Sequence, residues 1–227
     1  MLKFLGIGGA FESKLKNCSA FYKKDNKLLL IDCGENIFEE IKNNNILQNI
    51  EEINILIAHF HTDHIGSIGS LLFYCDRLGI KKVNIIYPKV RKLKQLLNLL
   101  GMNRCNYKLY NPKKFKNIKI ESYKQNHSFM EAYGYKISLN NKKIFYSGDT
   151  KTIPKSILTE FLNNKIDYFY QDVRKEFNNY HISLDELNFV IPYEYRNRIN
   201  CMHFNTEEEI KDVLDNGYSI VKKIGGK

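Results

Sequence analysis

The sequence predicts an α/β fold, a four-layer αββα sandwich in which two β-sheets pack face to face and helices cover both outer sides. Short strand and helix patterns alternate through most of the 227 residues, and they fall into two successive β-rich halves. No Pro-, Gly- or Ser-rich linker separates the halves, and apolar residues, 43% of the chain, are spread along its whole length. A chain of this size and composition can bury a substantial core, so we predict a single domain over residues 1–227.

The first half opens as a β-meander and continues as β-α-β-α. A turn at Asp25 and Asn26 separates the second strand from the third. Helical periodicity indicates helices at 35–42 and 65–78. The strands predicted from short apolar runs are 2–7, 19–23, 27–31 and 53–58.

The second half is predicted to begin at residue 83 and to end at residue 146. Its strands are 83–87, segments near Tyr107, Ile118 and Tyr135, and 142–146. A basic amphipathic helix at 90–100 is stopped by Gly101. The elements expected after residue 146 are a helix at 154–162, a strand at 166–170, a helix from about Ser183 and a closing helix capped by Thr206.

The net charge of the chain indicates what kind of partner it binds, and its cysteines indicate the cellular compartment. The chain has 35 basic and 25 acidic residues, a net charge of +10, which suits anionic partners such as nucleotides or nucleic acid. A merely solvated basic surface is an equally open alternative. The apolar start is broken by Lys3 and three glycines, so neither a signal peptide nor a membrane span is expected. An odd number of cysteines without a CxxC pair indicates reduced thiols in the cytoplasm, with core rather than catalytic roles: Cys18, Cys33, Cys75, Cys105 and Cys201.

Four potential metal ligands lie within six residues, in the segment H-F-H-T-D-H that follows the strand at 53–58: His59, His61, Asp63 and His64. Two histidines spaced two apart at a strand end project to the same side, and the following turn can bring the other two residues back toward them. Imidazole and carboxylate are the ligands of catalytic zinc and related ions. A lone histidine is better explained by a polar surface loop or by hydrogen bonds within the core. These alternatives do not explain three histidines and an aspartate within six residues. The segment therefore predicts a metal site.

The pattern H-x-H-x-D-H resembles the signature of metallo-β-lactamase-fold hydrolases, whose architecture is the αββα sandwich. The later motifs of that family are matched in order by His127 in Q-N-H-S-F, Asp149 in Y-S-G-D-T and His203 in C-M-H-F. The resemblance implies two divalent metal ions, zinc or alternatively manganese. One ion would be held by His59, His61 and His127, the other by Asp63, His64 and His203, with Asp149 as the bridge.

A further histidine points to one branch of this family. His181, in Y-H-I-S-L-D-E-L, resembles the G-H-S-T-x-x-E-x-A element of the ribonuclease Z branch, where a histidine outside the metal shell assists phosphodiester cleavage. Asp172 lies where that branch carries an acidic partner. The resemblance implies that His181 is a catalytic acid and that Asp63 orients the attacking water. The alternative for His181 is a local cap on the helix that starts near Ser183.

The spacing between two motifs indicates which members of this family the chain resembles. Only 22 positions separate His127 from Asp149, which is room for two strands and a turn at Asn140 and Asn141. The long arm by which ribonuclease Z grips transfer RNA does not fit there. The chain therefore resembles the armless relatives that degrade cyclic mononucleotides, among them the anti-Pycsar proteins. The implied reaction converts a 3′,5′-cyclic nucleotide to a nucleoside monophosphate with water activated by two metals.

Two alternatives stay open: a ribonuclease Z-like RNA endonuclease, and a nucleotide-binding protein without catalysis. The second is disfavoured because every ligand position is filled. The glycine-rich opening G-I-G-G-A-F is interpreted as a turn, and the family resemblance also implies a homodimer. Six aromatic residues could either stack on a base or belong to the core: Tyr107, Tyr110, Phe115, Tyr123, Tyr193 and Tyr195.

Overall fold

The computed structural model describes residues 1–225, apart from the side chain of Arg104, and contains two six-stranded sheets. The last two residues of the predicted domain 1–227 lie outside the described part. The order across the first sheet is β1 (Lys3–Gly6), β2 (Ser19–Lys24), β3 (Lys27–Ile31), β4 (Glu52–Leu56), β5 (Lys82–Ile86) and β6 (Lys108–Tyr110). The order across the second is β7 (Lys119–Gln125), β8 (Ala132–Leu139), β9 (Lys142–Tyr146), β10 (Tyr168–Asp172), β11 (Ile199–Met202) and β12 (Ser219–Ile220).

Helices connect most of the parallel strands. They are α1 (Ile37–Asn43), α2 (Thr62–Ile65), α3 (Ile68–Arg77), α4 (Val90–Leu99), α5 (Lys155–Leu162), α6 (Leu184–Val190), α7 (Tyr193–Arg196) and α8 (Glu207–Asp215). Short 3-10 helices are present at Met102–Arg104 and Pro112–Lys114. Within residues 1–225, no helix combines the length and the apolar character needed to cross a membrane.

Both sheets have the same pairing pattern, although the sequence shows no repeat. The first three strands of each sheet pair antiparallel, and the last three are added in parallel. Two-residue turns join β2 to β3 and β8 to β9, whereas parallel neighbours need a longer crossover, which the helices supply. The predicted α/β sandwich built from two β-rich halves is therefore confirmed.

The predicted boundaries of the second half, residues 83 to 146, are wrong. Strands β5 and β6 belong to the first sheet, because the helical crossovers before them return the chain to the edge of the sheet that already exists. The second sheet begins at β7 and continues past residue 146 through β12. Helix α7 and strands β11 and β12 were not predicted, since elements of two to four residues carry little periodic signal.

The turn between β8 and β9 has the predicted position. Asn140 and Asn141 both have left-handed backbone angles, with φ of 48° and 60°. Two such residues are typical of the type I′ turn, which matches the twist of the strands that it joins. The chain between His127 and Asp149 is thus occupied by β8, this turn and β9, as expected for a protein without the long arm.

Buried side chains hold the two sheets together. The Tyr135 hydroxyl on β8 donates to the carbonyl oxygen of Ile57, which follows β4, at 2.6 Å. The rings of Phe4 on β1 and Tyr170 on β10 lie 5.3 Å apart. Four of the five cysteines are buried, as predicted, and Cys105 is partly exposed. Burial raises the pKa of Cys18 to about 12, so this thiol is protonated at neutral pH and is a poor nucleophile.

Candidate metal centre

The predicted ligands follow the carboxyl ends of strands in both sheets. The segment from His59 to His64 follows β4, His127 follows β7, Asp149 follows β9 and His203 follows β11. Side chains at these positions can converge at one end of the sandwich without interrupting the apolar interior, which is why crevices at strand ends commonly hold ligands. The structure brings all seven predicted metal-ligating residues together there.

The first ligand group contains three histidines: His59, His61 and His127. His61 Nδ1 lies 2.8 Å from His59 Nε2 and 3.3 Å from His127 Nε2. His127 Nδ1 is 3.1 Å from the carbonyl oxygen of Tyr180, an acceptor that holds the proton on Nδ1 and leaves Nε2 directed toward the group. Burial lowers the pKa of His59 well below its ordinary value, so this side chain is the neutral imidazole that binds metals.

The second ligand group contains Asp63, His64, Asp149 and His203. Asp63 Oδ2 lies 3.3 Å from His64 Nε2 and 3.2 Å from His203 Nε2. His61 occupies the position just before α2. The single turn of that helix carries Asp63 and His64 into the second group. The H-F-H-T-D-H segment thus contributes two residues to each group from one strand end.

Asp149 lies between the two groups. Its Oδ2 atom is 3.8 Å from His127 Nε2 and 4.0 Å from His59 Nε2. Its Oδ1 atom is 3.2 Å from His64 Nε2 and 3.5 Å from His203 Nε2. One carboxylate oxygen therefore faces each group, which is the arrangement that a bridging ligand requires.

The seven residues fit a pair of divalent cations. His64 Nε2 is buried without a hydrogen-bond partner, even though it lies within 3.3 Å of both Asp63 and Asp149. Burial alone would raise the pKa of Asp149, but His203 and His64 hold it well below its ordinary value, so the carboxylate is charged. Buried carboxylates and imidazoles that face a common point, rather than each other, are the ligand set of zinc and similar ions. The role of each residue as a ligand stays a prediction.

Asp32 was not predicted from the sequence, although it contacts one of the predicted ligands. Asp32 Oδ2 lies 2.8 Å from His64 Nδ1, and the backbone N–H of Ala58 donates to Oδ1 at 2.7 Å. The carboxylate fixes the proton of His64 on Nδ1 and leaves Nε2 free for the ligand group. An acidic residue directly after the apolar strand β3 was the signal that could have revealed it.

His181 lies beside the ligand groups and pairs with the predicted acidic partner. Its Nδ1 atom is 2.7 Å from Asp172 Oδ2, and the N–H of Thr150 donates to the same oxygen at 3.1 Å. The cap of α6 is formed by Ser183, whose side chain accepts from the N–H of Glu186 while the Glu186 carboxylate accepts from Ser183. The structure thus disfavours the alternative interpretation of His181 as a helix cap.

A cavity of about 970 Å³ opens over these residues. Its aromatic lining consists of Phe11, Phe60, Phe129, Phe177 and Tyr180. None of the six aromatic residues considered as base-stacking candidates lines this cavity in the described part of the chain. Loop conformation decides which rings reach the cavity, and no periodic pattern in the sequence reports it.

The glycine-rich opening is a turn, as predicted, and it forms one wall of the site. Ile7 accepts hydrogen bonds at its carbonyl oxygen from the N–H groups of His203 and Phe204, both at 2.9 Å. The chain then turns at Ala10 and Phe11. His203 itself has a left-handed backbone with φ of 71°, an uncommon conformation that these bonds hold in place.

Comparisons with known proteins agree with this geometry. A family model described as Anti-Pycsar protein Apyc1 matches residues 1–224. The Anti-Pycsar protein Apyc1 of Bacillus phage BSP38 is 30% identical over 250 residues, which cover 92% of this chain and 90% of that protein. The ribonuclease Z of Picrophilus torridus is 28% identical over 188 residues, covering 76% of this chain and 59% of that protein.

The fold is shared with solved structures. The metallo-β-lactamase fold protein YhfI from Bacillus subtilis superimposes with a TM-score of 0.77 at 16% identity, and the match covers 99% of this chain and 97% of that protein. The predicted metallo-β-lactamase sandwich is therefore confirmed. The buried histidine and aspartate groups, together with the family match, also confirm the predicted class of metal-dependent hydrolase. The chain belongs to the family described as Anti-Pycsar protein Apyc1.

Proposed function

We propose that the chain is a phosphodiesterase that hydrolyses 3′,5′-cyclic mononucleotides to nucleoside monophosphates. The observation that carries the proposal is the position of Asp149 between two ligand groups, with His181 beside them at the base of one cavity. Two metal ions next to a general acid are suited to in-line displacement at phosphorus. Lactam or thioester opening has no need of the additional histidine.

Each ligand group would hold one divalent ion, with Asp149 shared between them. Bound ions stabilise charge on phosphate oxygens and lower the pKa of water. Zinc is the metal that we propose, because a site rich in imidazole suits it, and manganese is the alternative.

The environment of Asp63 keeps its carboxylate ionised at neutral pH. Burial opposes its charge, but His64 and His203 outweigh burial and lower its pKa far below the ordinary value. A carboxylate that stays ionised at neutral pH can accept a hydrogen bond from the attacking water and orient its lone pair toward phosphorus. Asp63 would thus act both as a ligand and as the group that orients the water.

His181 is positioned to protonate the leaving oxygen. Its Nδ1–H donates to Asp172, so Nε2 is the nitrogen that exchanges a proton with substrate. The side chain lies in the cavity wall and is 16% exposed. As water attacks phosphorus and the P–O bond of the ring breaks, the His181 imidazolium would give its proton to the departing sugar oxygen.

The cavity suits a small nucleotide. Its volume lies at the upper end of the range for pockets that bind small molecules. Phe129 and Tyr180, whose ring centroids lie 6.5 Å apart, offer faces for a base, and base stacking on an aromatic ring contributes roughly 1–3 kcal/mol. The net charge of +10 favours an anionic substrate.

A homodimer in the cytoplasm belongs to the same proposal. Phe11 and Phe129 are almost fully exposed at the mouth of the cavity, where a second copy of the chain would cover them. Apolar side chains exposed together commonly mark an interaction surface. Sedimentation velocity of the purified protein would measure the oligomeric state directly.

Product analysis tests the function. Metal-loaded protein is incubated with cyclic mononucleotides, cyclic dinucleotides and a short RNA, next to His181→Ala and a control, Lys94→Ala, whose exposed side chain lies on α4 away from the site. We expect conversion of cyclic mononucleotides by the wild type and the control but not by His181→Ala. Cleavage of RNA alone would replace the proposal with the ribonuclease alternative, and binding without turnover at full metal occupancy would support a nucleotide-binding role.

A further inference from the structure

Arg174 is a buried cation without a closely bonded counter-ion. It lies two residues beyond the end of β10, and its side chain is 8% exposed. Its Nη1 atom has no hydrogen-bond partner, and Asp172 Oδ1 lies 4.0 Å from Nη1, beyond hydrogen-bonding distance. Burying a charge is costly unless the charge is paired and hydrogen-bonded, so this guanidinium group needs an anion that reaches it.

The surroundings of Arg174 open toward the cavity. Arg174 is part of the cavity wall together with His203, Asp63 and Asp149. A Cβ atom at Gly9 would lie only 2.9 Å from Arg174 Nη2, so the glycine in the opening G-I-G-G leaves the space that the guanidinium group occupies. The glycine-rich opening therefore shapes an arginine site at the floor of the cavity.

A hydrogen bond links Arg174 to a predicted metal ligand. Arg174 Nη2 lies 2.7 Å from His203 Nδ1, and because arginine stays protonated, Nη2 must donate to Nδ1. Nη2 therefore holds His203 in place. Nη1, which is buried and has no hydrogen-bond partner, is the nitrogen of Arg174 that an anion in the cavity can reach.

Charge balance at the loaded site then favours an anion. Four buried carboxylates contact histidines of the two ligand groups, and together they carry a charge of −4: Asp32, Asp63, Asp149 and Asp172. Two divalent ions cancel this charge, and Arg174 leaves a net charge of +1 when the histidines are neutral. A phosphodiester carries one negative charge, and a guanidinium N–H forms a strong, charge-assisted hydrogen bond with a phosphate oxygen.

We infer that Arg174 binds a non-bridging phosphate oxygen of the substrate beside the metal ions. The nature of that substrate rests on the proposed function, but the anion site itself depends only on the residues around Arg174. The side chain thus contributes to phosphate affinity directly, in addition to any effect on His203.

Phosphate binding tests the inference without any turnover. Inorganic phosphate is titrated calorimetrically into zinc-loaded wild type, Arg174→Lys and Arg174→Gln, and the zinc content of each protein is measured. We expect Arg174→Gln to weaken phosphate binding about tenfold or more, since a hydrogen bond to a charged group is lost, while Arg174→Lys retains part of the affinity and both variants keep their zinc.

Arg196→Gln is the matched control, because Arg196 is a partly buried arginine that donates to the carbonyl oxygens of Asn188 and Asn216 and does not line the cavity. Its phosphate affinity should equal that of the wild type. Wild-type affinity in Arg174→Gln, or loss of zinc in parallel with phosphate, would overturn the inference, since Arg174 would then serve only His203. The protein could also bind phosphate through Arg174 and yet fail to hydrolyse cyclic nucleotides. That result would contradict the proposed function but would still support the anion site.

Discussion

The imidazole of His181 and the carboxylate of Asp172 form a hydrogen-bonded pair, with 2.7 Å between Nδ1 and Oδ2. Asp172 is fully buried at the end of β10, and its Oδ2 also accepts from a backbone N–H. A rigid strand end therefore sets the orientation of a side chain that is itself partly exposed. His181 belongs to neither of the two predicted ligand groups, although it also lies close to Asp149 and His203.

Replacing His181 should reduce turnover without removing metal. His181→Ala is expected to lower kcat by about 10²- to 10⁴-fold, the usual contribution of a general acid, and Asp172→Asn by about tenfold or more because the ring loses its orientation. Steady-state kinetics combined with metal analysis checks both variants. Unchanged kcat in His181→Ala would contradict the assigned role.

Replacing Asp32 should weaken metal binding from outside the ligand groups. Asp32 has a left-handed backbone with φ of 63°, a conformation in which asparagine and aspartate are both enriched. Asp32→Asn therefore removes the charge behind His64 with little backbone strain. We expect zinc affinity to fall about 10- to 100-fold, measured by competition with a chromogenic chelator. Zinc affinity equal to that of the wild type would show that His64 needs no such support.

Removing metal should lower thermal stability. The carboxylates of Asp63 and Asp149 lie close together, and bound cations relieve their repulsion. Zinc at about 1,000 times its Kd would stabilise the fold by about 4 kcal/mol, which corresponds to a change in Tm of roughly 10 °C for a chain of this length. Differential scanning fluorimetry with and without a chelator measures the change, and Asp149→Asn should reduce it. Identical Tm values would argue against metal binding.

The turn at Asn140 and Asn141 offers a stability test away from the site. Asn141 is exposed and has φ of 60°, so Asn141→Ala should cost about 1 kcal/mol through left-handed backbone strain. Asn141→Gly relieves the same strain and should be as stable as the wild type or more so. Urea unfolding gives both values. Equal midpoints for the alanine and glycine variants would rule out the type I′ assignment.

The sequence predicted most of the residues that meet at the site, because their spacing is local or their motifs occur in a fixed order. His59, His61, Asp63 and His64 share one segment, His127 and Asp149 each follow a strand that the sequence predicted, and His203 was found from the order of the motifs. Asp32 and Arg174 were not predicted, since each is a single residue whose partner lies far along the chain. Asp32 contacts a histidine 32 positions away, and Arg174 contacts one 29 positions away.

The remaining errors have the same physical origin. Periodicity identified the individual strands β5 and β6 but did not show which sheet each would join, because that depends on the path of the helices between them. The aromatic residues around the cavity, such as Phe11 and Phe129, lie in loops whose conformation depends on long-range bonds like the one from His203 to Ile7. Long-range pairing of this kind is not encoded in any short window of sequence.

The separation of the ligands along the chain also determines when the site can form during folding. Asp63 and His203 meet at 3.2 Å although they are 140 positions apart in the sequence, and contacts across such distances form only after slow closure of the intervening chain. A ribosome that has released only the first sheet exposes the H-F-H-T-D-H segment without His127, Asp149 or His203. Neither ligand group is complete until the second sheet has been synthesised and has docked. Capture of metal is therefore coupled to completion of the fold, so that a prematurely terminated chain carries no competent centre.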